Sequence, residues 1–358
     1  MEMQREDELP MIGRRMTVLL TGASGVVGSA LLDRWSDDPA APEVIALVHR
    51  RPVGGRGVRS VRGNVTAPGL GLPAGEYEAL VRRVDVVVHA AAVVSFRAAG
   101  QLADTNVGGT REAIAFAERA GAALVHVSSA FLHPTGAGTG ERSSADYAQS
   151  KREAEALVSA AGVPTAVVRP SIVVGHSATG RITEFQGFYQ VVAAVRQGLL
   201  PVLPFDPEWR LDLVPCDVVA EAIATVVARA MFGRDFWVTG GERALTVGQS
   251  LEAVLDHADR GGAPVGRPRF VDPEIYRNVI VPVFLGSLPR GQRIALSNVA
   301  DMFCEYLSMP EPFPSSLDEL AAAGALGFPD PGSSLRACLD FWQASTDAAP
   351  AFVAAGVA

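Results

Sequence analysis

Short runs of β-branched and apolar residues alternate with amphipathic stretches along the first half of the chain, the pattern of a parallel sheet buried on both faces. Residues 16–22, Met-Thr-Val-Leu-Leu-Thr-Gly, open the series, and runs at 44–49, 58–62, 84–88, 123–127 and 164–169 continue it. Helical periodicity fills the intervals at 29–35, 76–83, 106–119 and 145–161. Strands alternating with helices in this way predict an α/β fold with a doubly wound parallel sheet. After Gly175 the alternation fails. An irregular stretch leads to a helix over 185–197 and a proline-spaced segment over 200–207. The sheet is expected to resume at 210–214 and 236–239, with a helix over 217–230 between them. Helices predicted at 246–260, 273–285, 292–308 and 334–345 would build a smaller cap.

The expected organisation is therefore a disordered leader over 1–15 and a sheet domain over 16–178 to which 208–245 returns. A mostly helical substrate domain is expected over 179–207 and 246–347, and a flexible Ala-rich tail over 348–358. The stretch 273–285 is apolar on all sides and is expected to pack against the core. The longest apolar run, 279–285, is far too short to span a bilayer.

Composition narrows the class. Hydrophobic residues make up 48% and charged residues 20% of 358, which excludes a disordered chain. A formal net charge of -8 with no basic stripe argues against nucleic acid as the main partner. Cys216, Cys304 and Cys338 are odd in number and widely spaced, so they form no metal or disulfide pattern and read as buried thiols in a reducing compartment. The acidic N-terminus lacks the apolar core of a secretory signal, and a cytoplasmic location is expected.

The first strand runs into Gly22-Ala-Ser-Gly25-Val-Val-Gly28 and then a helical pattern. In strand–turn–helix context this spacing reads as a dinucleotide turn. Gly22 permits the bend, Gly25 lets backbone approach a pyrophosphate, and Gly28 lets helix and strand pack closely. The free N–H groups at the helix start would hold the anion. Arg50 and Arg51 end the second strand, where an NAD site would place a carboxylate. Arginine suits the 2′-phosphate of NADPH, and Arg50 is the favoured contact. Small residues after the 84–88 strand, His89-Ala90-Ala91-Ala92, suit close passage of a cofactor, with His89 read as a packed, hydrogen-bonded residue.

One stretch is singled out by rarity. Lys151 is the only lysine among 31 basic residues, and Tyr147 lies four positions earlier on a helical segment, so phenol and ammonium share a face. Lysine is a compact charge that can lose its proton when buried, and an adjacent cation is expected to lower the tyrosine pKa. Ser128 and Ser129 end the 123–127 strand at the carboxyl edge, where ligands bind in open parallel sheets. Ser129 is the candidate donor to a substrate oxygen, with Ser128 second.

With Gly22, Gly25, Gly28, Ser129, Tyr147 and Lys151 in this order, residues 16–245 resemble the extended short-chain dehydrogenase/reductase superfamily with its Rossmann-type sheet. The segments 84–96, Asn106-Val-Gly-Gly-Thr110, 168–175, Thr179-Gly-Arg-Ile182 and 210–217 are similar to its thioester-reductase and fatty acyl-CoA reductase branch, the male-sterility-like NAD-binding group. The stretch 303–313 has a looser likeness to it. The resemblance implies an NADP-dependent oxidoreductase that reduces an acyl thioester, on a carrier protein or CoA, to an aldehyde and conceivably on to the alcohol. It implies Ser129, Tyr147 and Lys151 as catalytic residues. Cofactor contacts are implied at Gly22, Ser24, Gly25, Val26, Val27, Arg50, Arg51, Asn64, Val65, Ala90, Ala91, Asn106, Tyr147, Lys151, Pro170 and Ile172. Asn64 stands where relatives often carry Asp, and Ser129 where they often carry Thr. Relatives are frequently fused to an adenylation domain and a carrier protein; neither is seen in this sequence, so action in trans is expected. Two alternatives stay open. One is an extended reductase or epimerase acting on a ketone, steroid-like or sugar-nucleotide substrate; the other is a catalytically silent dinucleotide sensor.

Overall fold

The structure, a computed structural model, describes residues 14–94, 99–133, 142–262, 264–285 and 310–348. The apolar runs become strands β1 (Thr17–Thr21), β2 (Glu43–Val48), β3 (Val58–Arg62), β4 (Val86–His89), β5 (Ala123–Val127) and β6 (Thr165–Pro170). With a later strand, Arg234–Val238, they form a seven-stranded sheet in which β1 lies between β4 and β2, and β5 and β6 continue outward from β4. All of its pairings are parallel. Strands β1, β4 and β5 are buried at every position, because alternate side chains enter two different cores. Val18, Leu20, Val125 and Val127 face helix α1 (Val26–Ser36) and a second helix, Cys216–Ala228. Leu19 and Leu124 face the opposite layer, which includes α2 (Ala74–Val81) and α3 (Gly109–Ala120) with Phe116 fully buried. Helix α4 (Arg142–Ser159) carries Tyr147 and Lys151 and adds Val158 to that layer.

A separate apolar core joins helix α5 (Gly187–Arg196), helix α6 (Val247–Arg260) and helix α7 (Pro331–Ala348) through Phe188, Leu251, Leu255, Leu339 and Trp342. Helix α6 begins with a capping box, Thr246 accepting from the Gln249 N–H while the Gln249 side chain returns to the Thr246 N–H. Among the described residues no helix is long and apolar enough to cross a membrane.

Three expectations are corrected. The segment 210–214 does not rejoin the main sheet; Arg210–Leu211 pairs antiparallel with Leu245–Thr246, and Leu213–Pro215 pairs parallel with Ile172–Val174. Asp212 divides it, since its buried carboxylate accepts from Ser171 Oγ at 2.6 Å and from the Gly240 and Gly241 N–H groups at 2.9 Å. The stretch 273–285 does form a helix, of π type from Tyr276 to Leu285, with Pro282 inside it unable to supply an α-type N–H. It is not packed all round: Tyr276 is buried, whereas Ile275, Val279 and Val283 stay exposed at four-residue spacing. Arg14 of the expected leader is anchored, donating to the Arg83 carbonyl at 2.8 Å and pairing with Asp85. Residues 1–13, the expected helix over 292–308, Cys304 and the tail from 349 lie outside the described residues.

Asp212 pins segments that follow β6 and the Arg234–Val238 strand, so its neutral amide should be poorly tolerated. Asp212→Asn sets an NH2 against donors already aimed at it, and stability should fall by about 2 kcal/mol, read as a lower midpoint in urea at pH 7; an unchanged midpoint would contradict the pin.

Candidate active site

At the end of β1 the chain turns through Gly22, whose φ of 72° is in the left-handed region. A Cβ there would sit 2.6 Å from the Ala90 and Ala91 backbone, and one on Gly28 would sit 2.2 Å from the Gly22 carbonyl. These contacts bring the strand end, the segment after β4 and helix α1 into mutual contact, as only glycine allows. Gly25, the residue before α1, has nothing near its Cβ position but the Gly22 carbonyl at 3.3 Å, and no side chain caps the helix. The first N–H groups of α1 therefore present uncapped donors to a cavity, which suits a pyrophosphate.

That cavity encloses about 470 Å³ along the carboxyl edge of the sheet. It brings together Gly22, Gly25, Val26, Val27, Ala90, Ser129, Tyr147, Lys151, Pro170 and Ile172 from the expected set. Residues 24, 50, 51, 64, 65, 91 and 106 do not line it. Ser24 is exposed in the turn, and Arg50 and Arg51 are exposed just past β2, the strand beside β1. Ala91 gives its N–H to Thr21 Oγ1 at 3.3 Å. Val65 packs beside Gly109, 3.2 Å from its Cβ position. Asn64 does not offer its amide oxygen outward: Oδ1 accepts from the Thr66 N–H at 3.1 Å and hydroxyl at 2.9 Å. Asn106 is likewise placed differently from expectation. It is buried, with Oδ1 accepting from Val93 N at 2.8 Å and Nδ2 donating to Val93 O at 3.1 Å and Ser150 Oγ at 3.0 Å. A roomier hollow of about 1270 Å³ lies along the outer side of α1. Asp33, Asp37, Asp38, Asp217 and Glu221 line it, and the two arginines there, Arg34 and Arg181, are already paired with Asp38, Glu221 and Asp33, which leaves no free cation among the described residues of that lining for a pyrophosphate.

Lys151 is 3% exposed and donates one N–H to the Val127 carbonyl at 3.1 Å. Burial draws its ammonium down to about 8, with Glu155 one turn along α4 opposing the shift. Glu155 is itself held by a two-point pair with Arg169 of β6, at 2.7 and 2.8 Å, and Arg169 lies 5.0 Å from the Trp237 ring centre. This fastens the α4 helix to the sheet. Tyr147 behaves otherwise than expected. Burial pushes its phenol up to about 12, and the opposing influence is a hydrogen bond from Ser129 rather than the Lys151 charge. Burial of both groups outweighs their attraction. Ser129 Oγ also accepts from the Phe131 N–H at 3.3 Å. His89 is packed and bonded as expected, between Thr21 Oγ1 at 2.8 Å and Thr110 Oγ1 at 3.2 Å, and burial drives it to about 3.

Sequence reasoning missed the far wall. Phe131, Glu184, Gln186, Phe188 and Tyr189 also line the cavity, and Ser128 Oγ is buried there with no partner among the described residues. The one signal was the Thr179–Ile182 motif, which stands immediately before this wall.

The buried ammonium makes stability depend on pH with a definite sign. Because the folded pKa of Lys151 lies below its ordinary value, the folded state binds fewer protons between about 8 and 10.5. Its burial weakens the fold at neutral pH, and that weakening is relieved as pH rises through the window. Lys151→Met should therefore be at least as stable as the parent at pH 7. It should also lose the parent's upward drift between pH 8 and 10, on the order of 3 kcal/mol at most, measured by urea denaturation.

The male sterility protein family model matches residues 55–223. Glycine betaine reductase ATRR of Emericella nidulans is 32% identical over 251 residues, 58% of this chain and 19% of that protein. The fatty acyl-CoA reductase wat of Drosophila melanogaster is 29% identical over 204 residues, 46% of this chain and 40% of that one. The chain thus spans well under two thirds of the length of these relatives. In fold, it is similar to the terminal R domain from the myxalamid PKS-NRPS biosynthetic pathway, with a TM-score of 0.70 and 23% identity over 92% of this chain and 91% of that domain.

Proposed function

Since the chain belongs to the extended short-chain dehydrogenase/reductases, in the male-sterility-like branch of NAD(P)-dependent oxidoreductases, we propose that it reduces an acyl thioester with NADPH. The observation that carries this reading is the meeting of Ser129, Tyr147 and Lys151 on one cavity that begins at the uncapped start of α1. The uncapped N–H groups would hold the pyrophosphate, Ala90 and Pro170 would flank the nicotinamide half, and Arg50 would meet the 2′-phosphate. The bound nicotinamide supplies a hydride.

The residues supply the rest. A phenol pushed up to about 12 is fully protonated at neutral pH, so Tyr147 acts as a donor. With substrate bound, the Ser129 O–H would turn from the Tyr147 oxygen to the thioester oxygen, so that both hydroxyls stabilise the negative charge that grows there as hydride arrives at carbon, a contribution usually among the largest in such reactions. Tyr147 would pass its proton to that oxygen, giving a hemithioacetal; as the C–S bond breaks, the hydroxyl proton returns to the Tyr147 oxygen and the departing sulfur takes a proton from water, leaving an aldehyde and a free thiol. Lys151, drawn to about 8, is charged at neutral pH yet able to release a proton toward the phenol. Phe131, Ile172, Val173 and Phe188 give the far wall an apolar stretch for an acyl chain, with Glu184 and Gln186 as its polar groups. A carrier-protein or CoA arm is the proposed thiol, in line with the reductase of acyl-CoA and the PKS-NRPS domain among the similar proteins.

Following NADPH absorbance against a panel of acyl-CoA and acyl-pantetheine substrates tests the assignment. Tyr147→Phe should lower kcat by roughly 10²–10³, and Lys151→Arg, which keeps charge but not shape, by more than about tenfold. NADPH consumption on ketones or sugar nucleotides but on no thioester would replace this reading with the epimerase-like one. Arg50→Ala should raise KM for NADPH by roughly tenfold or more and leave NADH unaffected; equal effects on both would remove the 2′-phosphate assignment.

A further inference from the structure

Behind the cavity runs a chain of buried hydrogen bonds in which every donor is assigned. The Thr110 hydroxyl donates to the Asn106 carbonyl at 2.6 Å, so it can only accept from His89 Nε2, 3.2 Å away. Nε2 therefore carries the ring proton, Nδ1 is bare, and Thr21 Oγ1 donates to it at 2.8 Å while accepting the Ala91 N–H at 3.3 Å. From Asn106 the side chain grips both backbone groups of Val93 and donates to Ser150 Oγ at 3.0 Å. Ser150 in turn donates to the Tyr147 carbonyl at 2.8 Å. Thr21, His89, Asn106, Thr110 and Ser150 are all buried, so each broken bond would strand a polar group away from water.

The two ends of this chain matter. One end holds the segment after β4, whose Ala90 and Val93 line the cavity; the other holds the backbone of the residue that bears the phenol. We infer that His89, in its Nε2–H form, is a positioning residue that sets the distance from the dinucleotide passage at Ala90–Val93 to Tyr147. The inference rests on the reductase reading of the cavity, and adds a role that the cavity-lining residues alone do not reveal. Only a neutral imidazole with the proton on Nε2 fits between a hydroxyl that must accept and one that must donate. Asn106 belongs to the same strut, since both of its amide donors and its oxygen are consumed by it.

Four readouts on the full chain test the strut: ¹⁵N spectra of labelled histidine, thermal melting, NADPH binding by fluorescence, and steady-state kinetics with octanoyl-CoA. In the parent the His89 signals should stay those of the Nε2–H tautomer from pH 5 to 9. Thr110→Val, nearly isosteric, should lose that signature and lower kcat at least tenfold, with Kd for NADPH changed less than threefold. Thr110→Ser, which keeps the hydroxyl, should restore both. His89→Phe should match Thr110→Val, and combining the two should cost no more than either alone. If Thr110→Val does not fold, Ser150→Ala at the far end of the strut carries the same kinetic expectation. Folded Thr110→Val or Ser150→Ala with kcat within twofold of the parent would overturn the proposal, as would an Nδ1–H His89. Where octanoyl-CoA is not turned over, the best thioester of the panel takes its place; a parent inactive on all of them would count against the thioester reading instead, and the strut would then be decided by the tautomer spectrum.

Discussion

A single ammonium has to be kept dry at the carboxyl edge of the sheet, and much of the surrounding structure is arranged to meet that demand. Burying a charge is expensive unless it is bonded and opposed. Lys151 has the Val127 carbonyl as a direct acceptor and Glu155 as a counter-charge one turn away, and even so is drawn down to about 8. Glu155 is not free to swing over and quench it, because Arg169 holds both of its oxygens. A guanidinium in place of the ammonium would be wider, more donor-rich and permanently charged, which accounts for a chain so dominated by arginine keeping one lysine here.

The same demand shapes the polar groups nearby. Most of the two sheet cores is aliphatic, yet at the ends of β1, β4 and β5 stand Thr21, His89, His126, Ser128 and Ser129, all buried. His89 and His126 lie nearly parallel with centroids 5.6 Å apart, and burial, with the Lys151 charge added to it, keeps both neutral. An imidazolium there would stand against the ammonium with no compensating carboxylate. The neutrality of the pair and the charge of the lysine are thus one electrostatic condition. Among the described residues both nitrogens of His126 lack a partner, whereas both nitrogens of His89 are bonded. The stacked rings therefore differ: His89 links two hydroxyls, whereas His126 bonds to none of the described residues.

How much of this could be read from residues alone depends on range. The strands and the glycine turn are local: Val86-Val-Val-His89 pairs with β1 and β5 because it is apolar on both sides, and Gly22 is required by contacts a few residues wide. Tyr147 and Lys151 were legible for the same reason, being one helical turn apart. Most of what failed depended on distant neighbours. Residues 210–214 have a strand's composition, but Asp212 answers to Ser171 and to Gly240 and Gly241, which no local pattern reveals. The Asn106 amide is engaged by Val93 and Ser150, far from it in sequence, whereas the Asn64 oxygen is taken by Thr66 two residues on, a local turn. The phenol pKa went the wrong way because adjacency on a helix was weighed and burial was not.

The far wall of the cavity shows how a motif can act without its side chains touching the chemistry. Gly180, in the left-handed region at φ 67°, lies so close to helix α7 that a Cβ would come within 2.0 Å of the Ala337 carbonyl. Its carbonyl in turn leaves no room for a side chain on Gly175, 2.1 Å from that Cβ position. The turn is closed by Gly180 N–H to the His176 carbonyl at 2.7 Å and His176 N–H to the Arg181 carbonyl at 3.0 Å, and Arg181 reaches across to Asp33 on α1. Backbone against backbone is thus the contact that docks the end of the first domain's last crossover onto the second core. Glu184 to Tyr189 follow directly, and Tyr189 returns its hydroxyl to the Gly175 N–H at 3.0 Å. The wall opposite Lys151 is therefore set in place by an absence of side chains at two glycines. A side chain at either glycine would displace Glu184 to Tyr189 before it disturbed the turn at Gly22.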